Sequence, residues 1–210
     1  TGIDFEMGFI KDENDVMDVL EELMKFVLKE VNEICKDELT LLNVKIDIPK
    51  KIPRITLEEA RKLVEKKGKK IRENDDLDSE GEKLIGEIIK EKHNSDFVFI
   101  TLYPWEKKPF YQMKSNTNKK VTKSFDLVYK GVEISSGSQR EHNYEVLKEQ
   151  SEEKGIDIDK MSFYADIFKY GACPHGGAGI GFDRLIQRML NLENVREAIL
   201  LPRDPERLTP

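Results

Sequence analysis

The sequence holds only two cysteines, Cys35 and Cys173, in 210 residues. They are far apart and match no metal-ligand spacing, which excludes a disulfide framework and favours a reducing compartment. No run of about 18 apolar residues occurs, so there is no helical membrane span. No secretory signal peptide is expected either. Surplus basic charge is also missing. Lys and Arg number 35 against 41 Asp and Glu, a net charge of −6, so any RNA contact has to use a local patch. No internal repeat is visible. What is present is 36% charged and 38% apolar residues, the balance of a globular protein rather than a disordered tail. The length suffices for one domain with a sizeable core, or for a large piece of a bigger one. The first residue is Thr1 rather than Met, and Ile3 to Ile10 already alternates like an interior strand. The chain therefore reads as starting inside a domain.

Residues 3–10 predict a half-buried strand. Asn14 is the expected cap of a long helix to about Cys35, with Val16, Leu20, Leu23, Val27, Val31 and Ile34 as its core stripe. Residues 37–96 are highly charged. Two capping boxes, Thr56 with Glu59 and Ser79 with Glu82, precede helices expected at about 57–67 and 80–92, with a polar linker between them. This segment reads as a small helical insertion beside the main sheet, its lysines and glutamates forming a solvated face. From Phe97 the β signal returns in FVFITLY, SFDLVYKG and VEISSGSQR. Helices follow at about 143–153 and 159–169, then the glycine-rich HGGAGIG, a helix from Phe182 to about Leu190, and a short strand with a Pro-bounded tail in ILLPRDPERLTP. Lys130-Gly131 predicts a tight antiparallel hairpin. Helices do not alternate regularly with strands, so the expected class is α+β, an antiparallel sheet flanked by helices. The expected units are 1–36, the insertion 37–96, and a sheet-bearing part 97–210.

Two constellations carry chemistry. In YGACPHGGAGIGFDRL, glycines 176, 177, 179 and 181 let a flat ligand approach the backbone, and Arg184 follows on the first turn of a helix, where its fork of donors can meet a phosphate. In FDLVYKGVEISSGSQREH, Asp126 and Glu133 flank the hairpin and can converge across it. Strict alternation groups Glu133 with Ser135 and Gly137, and turns Ser136 the other way unless a bulge re-aims it. Two carboxylates and a hydroxyl suit a hard cation on nucleotide phosphates. Arg140, at the strand end, is a natural reader of a carboxylate. Asp4, with Glu6, could hold an ammonium group. Residues 105–125 hold six lysines (107, 108, 114, 119, 120 and 123) against one glutamate. They form either a cover over an anionic ligand, an RNA-facing edge, or a solvated loop. Cys173 and His175 lack an orienting partner and read as structural or ligand-lining.

GGAGIGFDRL resembles motif 3 of class II aminoacyl-tRNA synthetases. The C-terminal run from PHGGAGIGFDRL to PRDPERLTP, together with FDLVYKGVEISSGSQREH, TGIDFEMGFI and KPFYQM, is similar to the aspartate enzymes of archaeal and eukaryotic-cytosolic type. The resemblance covers nearly the whole chain and is weakest in 37–95. It implies the class II catalytic fold, a cytoplasmic ligase, ATP and Mg²⁺ as cofactors, and L-aspartate and tRNA as partners. It implies a homodimer for the full-length enzyme. It also implies roles. Arg184 holds ATP phosphates. Glu133, Ser136 and Asp126 bind magnesium, and Glu133 and Ser136 thereby contribute to ATP binding. Arg140 grips the aspartate side chain, Asp4 takes its α-ammonium, and Gly179 and Gly181 line the adenosine pocket. Arg184 and Arg140 are the expected catalytic residues. The family's motifs 1 and 2 and its anticodon-binding barrel are not in this sequence, so the 210 residues alone are expected to be inactive. An asparaginyl enzyme shares the fold but usually shows a GG pair and no histidine where this chain has SGSQREH. A paralogue that amidates aspartate to asparagine, and a non-enzymatic nucleotide-binding module, stay open.

Overall fold

The computed structural model describes residues 1–71 and 75–209; residues 72–74 of the expected linker and Pro210 lie outside the described residues. The strands are β1 (Gly2–Gly8), β2 (Arg54–Thr56), β3 (Phe97–Thr101), β4 (Ser124–Tyr129), β5 (Val132–Gln139) and β6 (His175–Gly181). They form one sheet in the order β1-β6-β5-β4-β3-β2. The helices are α1 (Glu13–Ile34), α2 (Lys36–Leu41), α3 (Leu57–Lys66), α4 (Ser79–His93), α5 (Tyr144–Glu153), α6 (Ser162–Lys169) and α7 (Phe182–Met189).

The sheet is antiparallel as expected, except that β2 runs parallel to β3 at one edge. The parallel pair follows from connectivity, because α3 and α4 lie between the two strands and supply the crossover such a pair requires. A three-residue strand inside a polar segment has no periodicity to betray it, so from sequence residues 54–56 read as part of the insertion. The hairpin between β4 and β5 forms at Lys130-Gly131, with φ of 45° and 74°. Two positive φ values give the turn whose twist matches that of the strands.

Three local expectations are corrected. The cap of α1 is Asp12, whose carboxylate accepts the Asn14 N–H at 2.8 Å, so Asn14 lies in the first turn. The Thr56–Glu59 capping box forms, but Ser79–Glu82 does not. Asp78 caps α4 instead by accepting the Gly81 N–H at 2.8 Å, which frees the Glu82 carboxylate. At the C-terminal end the short strand is replaced by a 3₁₀ turn over Val195–Ala198 and an Asp204–Arg207 bridge. Pro202 and Pro205 remove two donors that a ladder would need.

The two sheet faces differ. One is covered by α1, whose Val16, Leu20, Met24 and Leu28 pack on Phe99, Phe125, Leu127 and Tyr129 in the main core. The other is covered by α3 and α4 only at the β2–β3 end, where Ala60, Val64, Ile85 and Ile89 meet Val98, Ile100 and Val128. Among the described residues, no helix covers the rest of that second face, over most of β5 and over β6 and β1. A third cluster, Phe110, Leu147, Ile158, Ala165 and Phe168, closes the end of the sheet where β5 finishes.

Candidate active site

The uncovered half-face is where the chemistry-bearing side chains gather. Cross-strand partners point to the same side of a sheet. The row Ile100–Asp126–Ser136–Gly179–Asp4 crosses five strands, and the next row is Ser124–Ser138–Gly177–Glu6. Asp126, Ser136 and Asp4 therefore share a face with Ile100, the face away from α1.

Glu133 joins them through a bulge. Val128 pairs with Glu133 but Leu127 pairs with Ser135, so Ile134 has no opposite residue and the register shifts. The bulge puts Glu133 on the same face as Ser136, and turns Ser135 and Gly137 toward the α1 side. Strict alternation along the strand would have grouped Glu133 with Ser135 and Gly137; the inserted residue inverts that relation.

The glycines of β6 let acidic side chains lie flat across the sheet. A Cβ on Gly179 would come within 2.6 Å of Asp4 Oδ1, and one on Gly177 within 2.1 Å of the Phe5 carbonyl oxygen. Gly181, opposite Gly2, lies near the Arg184 side chain. Arg184, on the first turn of α7, donates from Nη1 to the Glu133 carbonyl at 3.0 Å and is otherwise exposed. Glu133, Ser136, Gly179, Gly181 and Arg184 line a hollow of about 440 Å³, walled by Val195 and Ile199. A larger hollow, about 630 Å³, lies by Asp18, Ile52 and Arg54, away from these groups.

Arg140 stands beyond the next row. Its Nη1 donates to Ser138 Oγ at 2.6 Å and its Nη2 to Glu6 Oε1 at 2.7 Å, with Gly177 O at 3.4 Å. Its backbone N–H donates to the His175 carbonyl at 2.9 Å, which ties the end of β5 to the start of β6. His175 itself donates from Nδ1 to the Cys173 carbonyl at 2.9 Å and stacks by Phe168, which gives it a structural environment.

Electrostatics concentrate around the hairpin. Burial, then the neighbouring Asp126 charge, push the Glu133 carboxyl up to about 7, against a pull from Arg184. Burial likewise raises Glu82, with the charge of Asp76 adding to it. Tyr103 is driven well above the usual phenol range by burial and by Asp126. Asp126 is itself buried and faces the Lys108 ammonium at 3.3 Å.

Sequence reasoning missed Glu82, which it placed in a capping box, and Tyr103. It found Lys108 only as one of six lysines. The lysine-rich segment folds back on itself through bridges from Pro104 to Val121 and Lys114 to Thr122. Lys107 pairs with Asp75, Lys114 with Glu153, and Lys123 with the Gln139 amide oxygen.

The donor set of Asp126, Glu133 and Ser136 is all oxygen and fits a hard cation that keeps water and phosphate oxygens in its shell. Among the described residues, no group of three or more His, Cys, Asp or Glu side chains forms a closed metal cage. Two carboxylates and a hydroxyl, open on one side, are what a cation shared with a phosphate needs.

The fold and this face define a class of protein. A family model for class II tRNA synthetases (D, K and N) matches residues 1–205, and the chain belongs to that family. Over 209 residues it is 48% identical to the aspartate–tRNA(Asp) ligase of Pyrococcus furiosus, covering 99% of this chain and 48% of that protein. Among solved structures, an aspartyl tRNA synthetase from Entamoeba histolytica is similar at a TM-score of 0.95 and 34% identity, covering 100% of this chain and 44% of that one. An asparaginyl-tRNA synthetase from Pyrococcus horikoshii is similar at 0.91 and 30%, covering 100% and 50%. The chain spans about half the length of the curated relatives it matches. No helix among the described residues is long and apolar enough to cross a membrane.

Proposed function

We propose that this chain is part of the catalytic domain of an aspartate–tRNA ligase, which activates L-aspartate with ATP and transfers it to tRNA. The observation that carries the reading is the juxtaposition on one open sheet face of a phosphate-type site and a carboxylate-type site. The first is Asp126, Glu133, Ser136 and Arg184; the second is Arg140 bonded to Glu6, with Asp4 on the same face.

The aspartate side-chain carboxylate is taken by the Arg140 guanidinium, a planar fork of donors suited to two oxygens. Asp4, exposed and lying over Gly179, takes the α-ammonium group. Gly179 and Gly181, which project no side chain of their own, line the adenosine pocket. Arg184 takes phosphate oxygens, and its existing bond to the Glu133 carbonyl fixes where its guanidinium starts. Asp126, Glu133 and Ser136 hold magnesium, which supplies charge neutralisation of the phosphates when bound. An α-carboxylate oxygen of aspartate attacks the α-phosphorus, the bond to the bridging oxygen breaks, and pyrophosphate leaves. The terminal ribose hydroxyl of tRNA then attacks the aspartyl carbonyl and AMP leaves. This chemistry asks the protein for positioning and charge stabilisation and for no protein nucleophile.

The second reading is an asparaginyl ligase, which the likeness to the Pyrococcus horikoshii structure keeps in view. Arg140 favours the aspartate reading, because a guanidinium pairs more strongly with a side-chain carboxylate than with a neutral amide. The test is pyrophosphate exchange into ATP, driven separately by L-aspartate and L-asparagine, on this chain and on a chain extended to the length of its relatives. Exchange with aspartate in the extended form alone is expected. Exchange with asparagine overturns the role of Arg140, and exchange with neither overturns the ligase reading.

A further inference from the structure

We propose that Lys108 is the resident counter-ion of Asp126, and that a divalent cation enters this site by displacing the Lys108 ammonium group. The inference rests on the reading of Asp126, Glu133 and Ser136 as metal donors. The lysine side chain is 13% exposed and the Asp126 side chain 6%, so two charges are held largely out of water and need each other. Nζ lies 3.3 Å from Asp126 Oδ2 and 3.5 Å from Oδ1. It straddles both oxygens, as a cation would, but at distances longer than the roughly 2.7–2.9 Å of a strong charge-assisted bond. Beneath it lies the Tyr103 ring, with Nζ 3.9 Å from the centroid. Its chain neighbour Lys107 is bound to Asp75 instead, and Lys108 is the described lysine that pairs with Asp126.

The chemistry of lysine fits a removable occupant. An ammonium is a compact point charge on a flexible stem, and it can swing to water while keeping its methylenes on the tyrosine. An arginine fork would lock onto the carboxylate. With Lys108 in place, the Asp126 carboxylate is oriented before any cation arrives. The cation must then compete with the ammonium, which lowers its apparent affinity.

The probe is Mn²⁺ alone, titrated against the chain while the free Mn²⁺ signal is followed by electron paramagnetic resonance. Wild type, K108M, K108Q and E133Q are compared, with melting curves taken with and without the metal. K108M and K108Q are expected to bind Mn²⁺ more tightly than wild type, on the order of tenfold, because a unit positive charge has left the site. Without metal both are expected to melt lower than wild type, and Mn²⁺ is expected to restore more of their stability than it adds to wild type. K108Q, which keeps a polar end group, serves if K108M does not fold. Equal or weaker binding by both variants, with wild-type binding lost in E133Q, overturns the counter-ion role and leaves the metal reading standing. If E133Q binds Mn²⁺ as wild type does, or wild type binds none, the metal reading falls and the displacement with it.

Discussion

Glu82 accepts the backbone N–H of Glu133 at 3.2 Å, joining α4 to the start of β5 across 51 residues of sequence. That N–H lies at the bulge which turns Glu133 toward Ser136, so a side chain from the charged segment holds the backbone geometry of the candidate metal site. Burial makes the ionised form of Glu82 unfavourable, and Asp76 adds to this. A neutral isostere keeps the acceptor and drops the charge. E82Q is therefore expected to be as stable as wild type or more so at pH 8. E82A, which strands the Glu133 donor, is expected to lose about 1–2 kcal/mol. Urea unfolding of the two variants checks this; equal stabilities would mean that the bond contributes nothing.

The placement of Glu82 depends in turn on a glycine contact. A Cβ on Gly86 would lie 2.7 Å from Gly131 N and 2.9 Å from its Cα, both backbone atoms that cannot step aside. Gly131 has φ +74° and closes the hairpin that delivers Glu133. Alanine inside a helix normally gains about 1 kcal/mol over glycine. Here the overpacking should reverse the sign, and G86A is expected to lose about 1–3 kcal/mol net by chemical denaturation. A stabilised G86A would show that α4 does not dock on the hairpin this closely.

These two contacts also mark what one-dimensional reading could reach. The hairpin was legible because Lys130-Gly131 sits between two β-rich runs, and the glycine-rich strand with Arg184 just after it was legible from composition and order. The Thr56–Glu59 box was legible because both reciprocal bonds are local. The start of α4 was not: Asp78 and Ser79 are both good caps, and the choice between them accompanies the docking of α4 on residues fifty positions away. The bulge was not legible either. Alternation counts along one strand, whereas a bulge exists only relative to its partner, here Leu127 and Val128 against Glu133 and Ser135. The three-residue β2 was hidden because its existence depends on β3 offering a free edge.

Glu133 gives a pH dependence of definite sign. Its folded-state value, about 7, lies above the ordinary 4.5, so the folded chain holds this proton more tightly than the unfolded chain does. Stability from this group is greatest below pH 4.5 and is lost as pH rises toward 7. The whole shift corresponds to about 3 kcal/mol, and partial solvent access reduces it to roughly 1–2 kcal/mol. E133Q is expected to exceed wild type in stability by that amount at pH 8 and to match it near pH 4. Divalent cation binding by wild type should run the other way, weaker at pH 6 than at pH 8, because the proton competes for the carboxylate. Denaturation at the two extremes and Mn²⁺ titration at pH 6 and 8 check both halves. A stability difference that does not change with pH would remove Glu133 as its source.

The proposed reading of the amino acid rests on Arg140, and the surroundings of this residue say how to test it. In this structure the guanidinium already holds a carboxylate, that of Glu6 at 2.7 Å, while Ser138 Oγ fixes its other end at 2.6 Å. The fork is thus oriented before any ligand arrives. Lysine at this position keeps the charge but cannot reach Ser138 and a carboxylate at once. Hydrogen bonds to charged groups contribute about 1.5–3 kcal/mol, so R140K is expected to raise the KM for aspartate roughly 10- to 150-fold in pyrophosphate exchange by the extended chain. The KM for ATP should stay within about twofold, because Arg184, Asp126, Glu133 and Ser136 are untouched. A rise in the ATP constant with an unchanged aspartate constant would move Arg140 to the nucleotide and leave the side-chain carboxylate of aspartate without a reader.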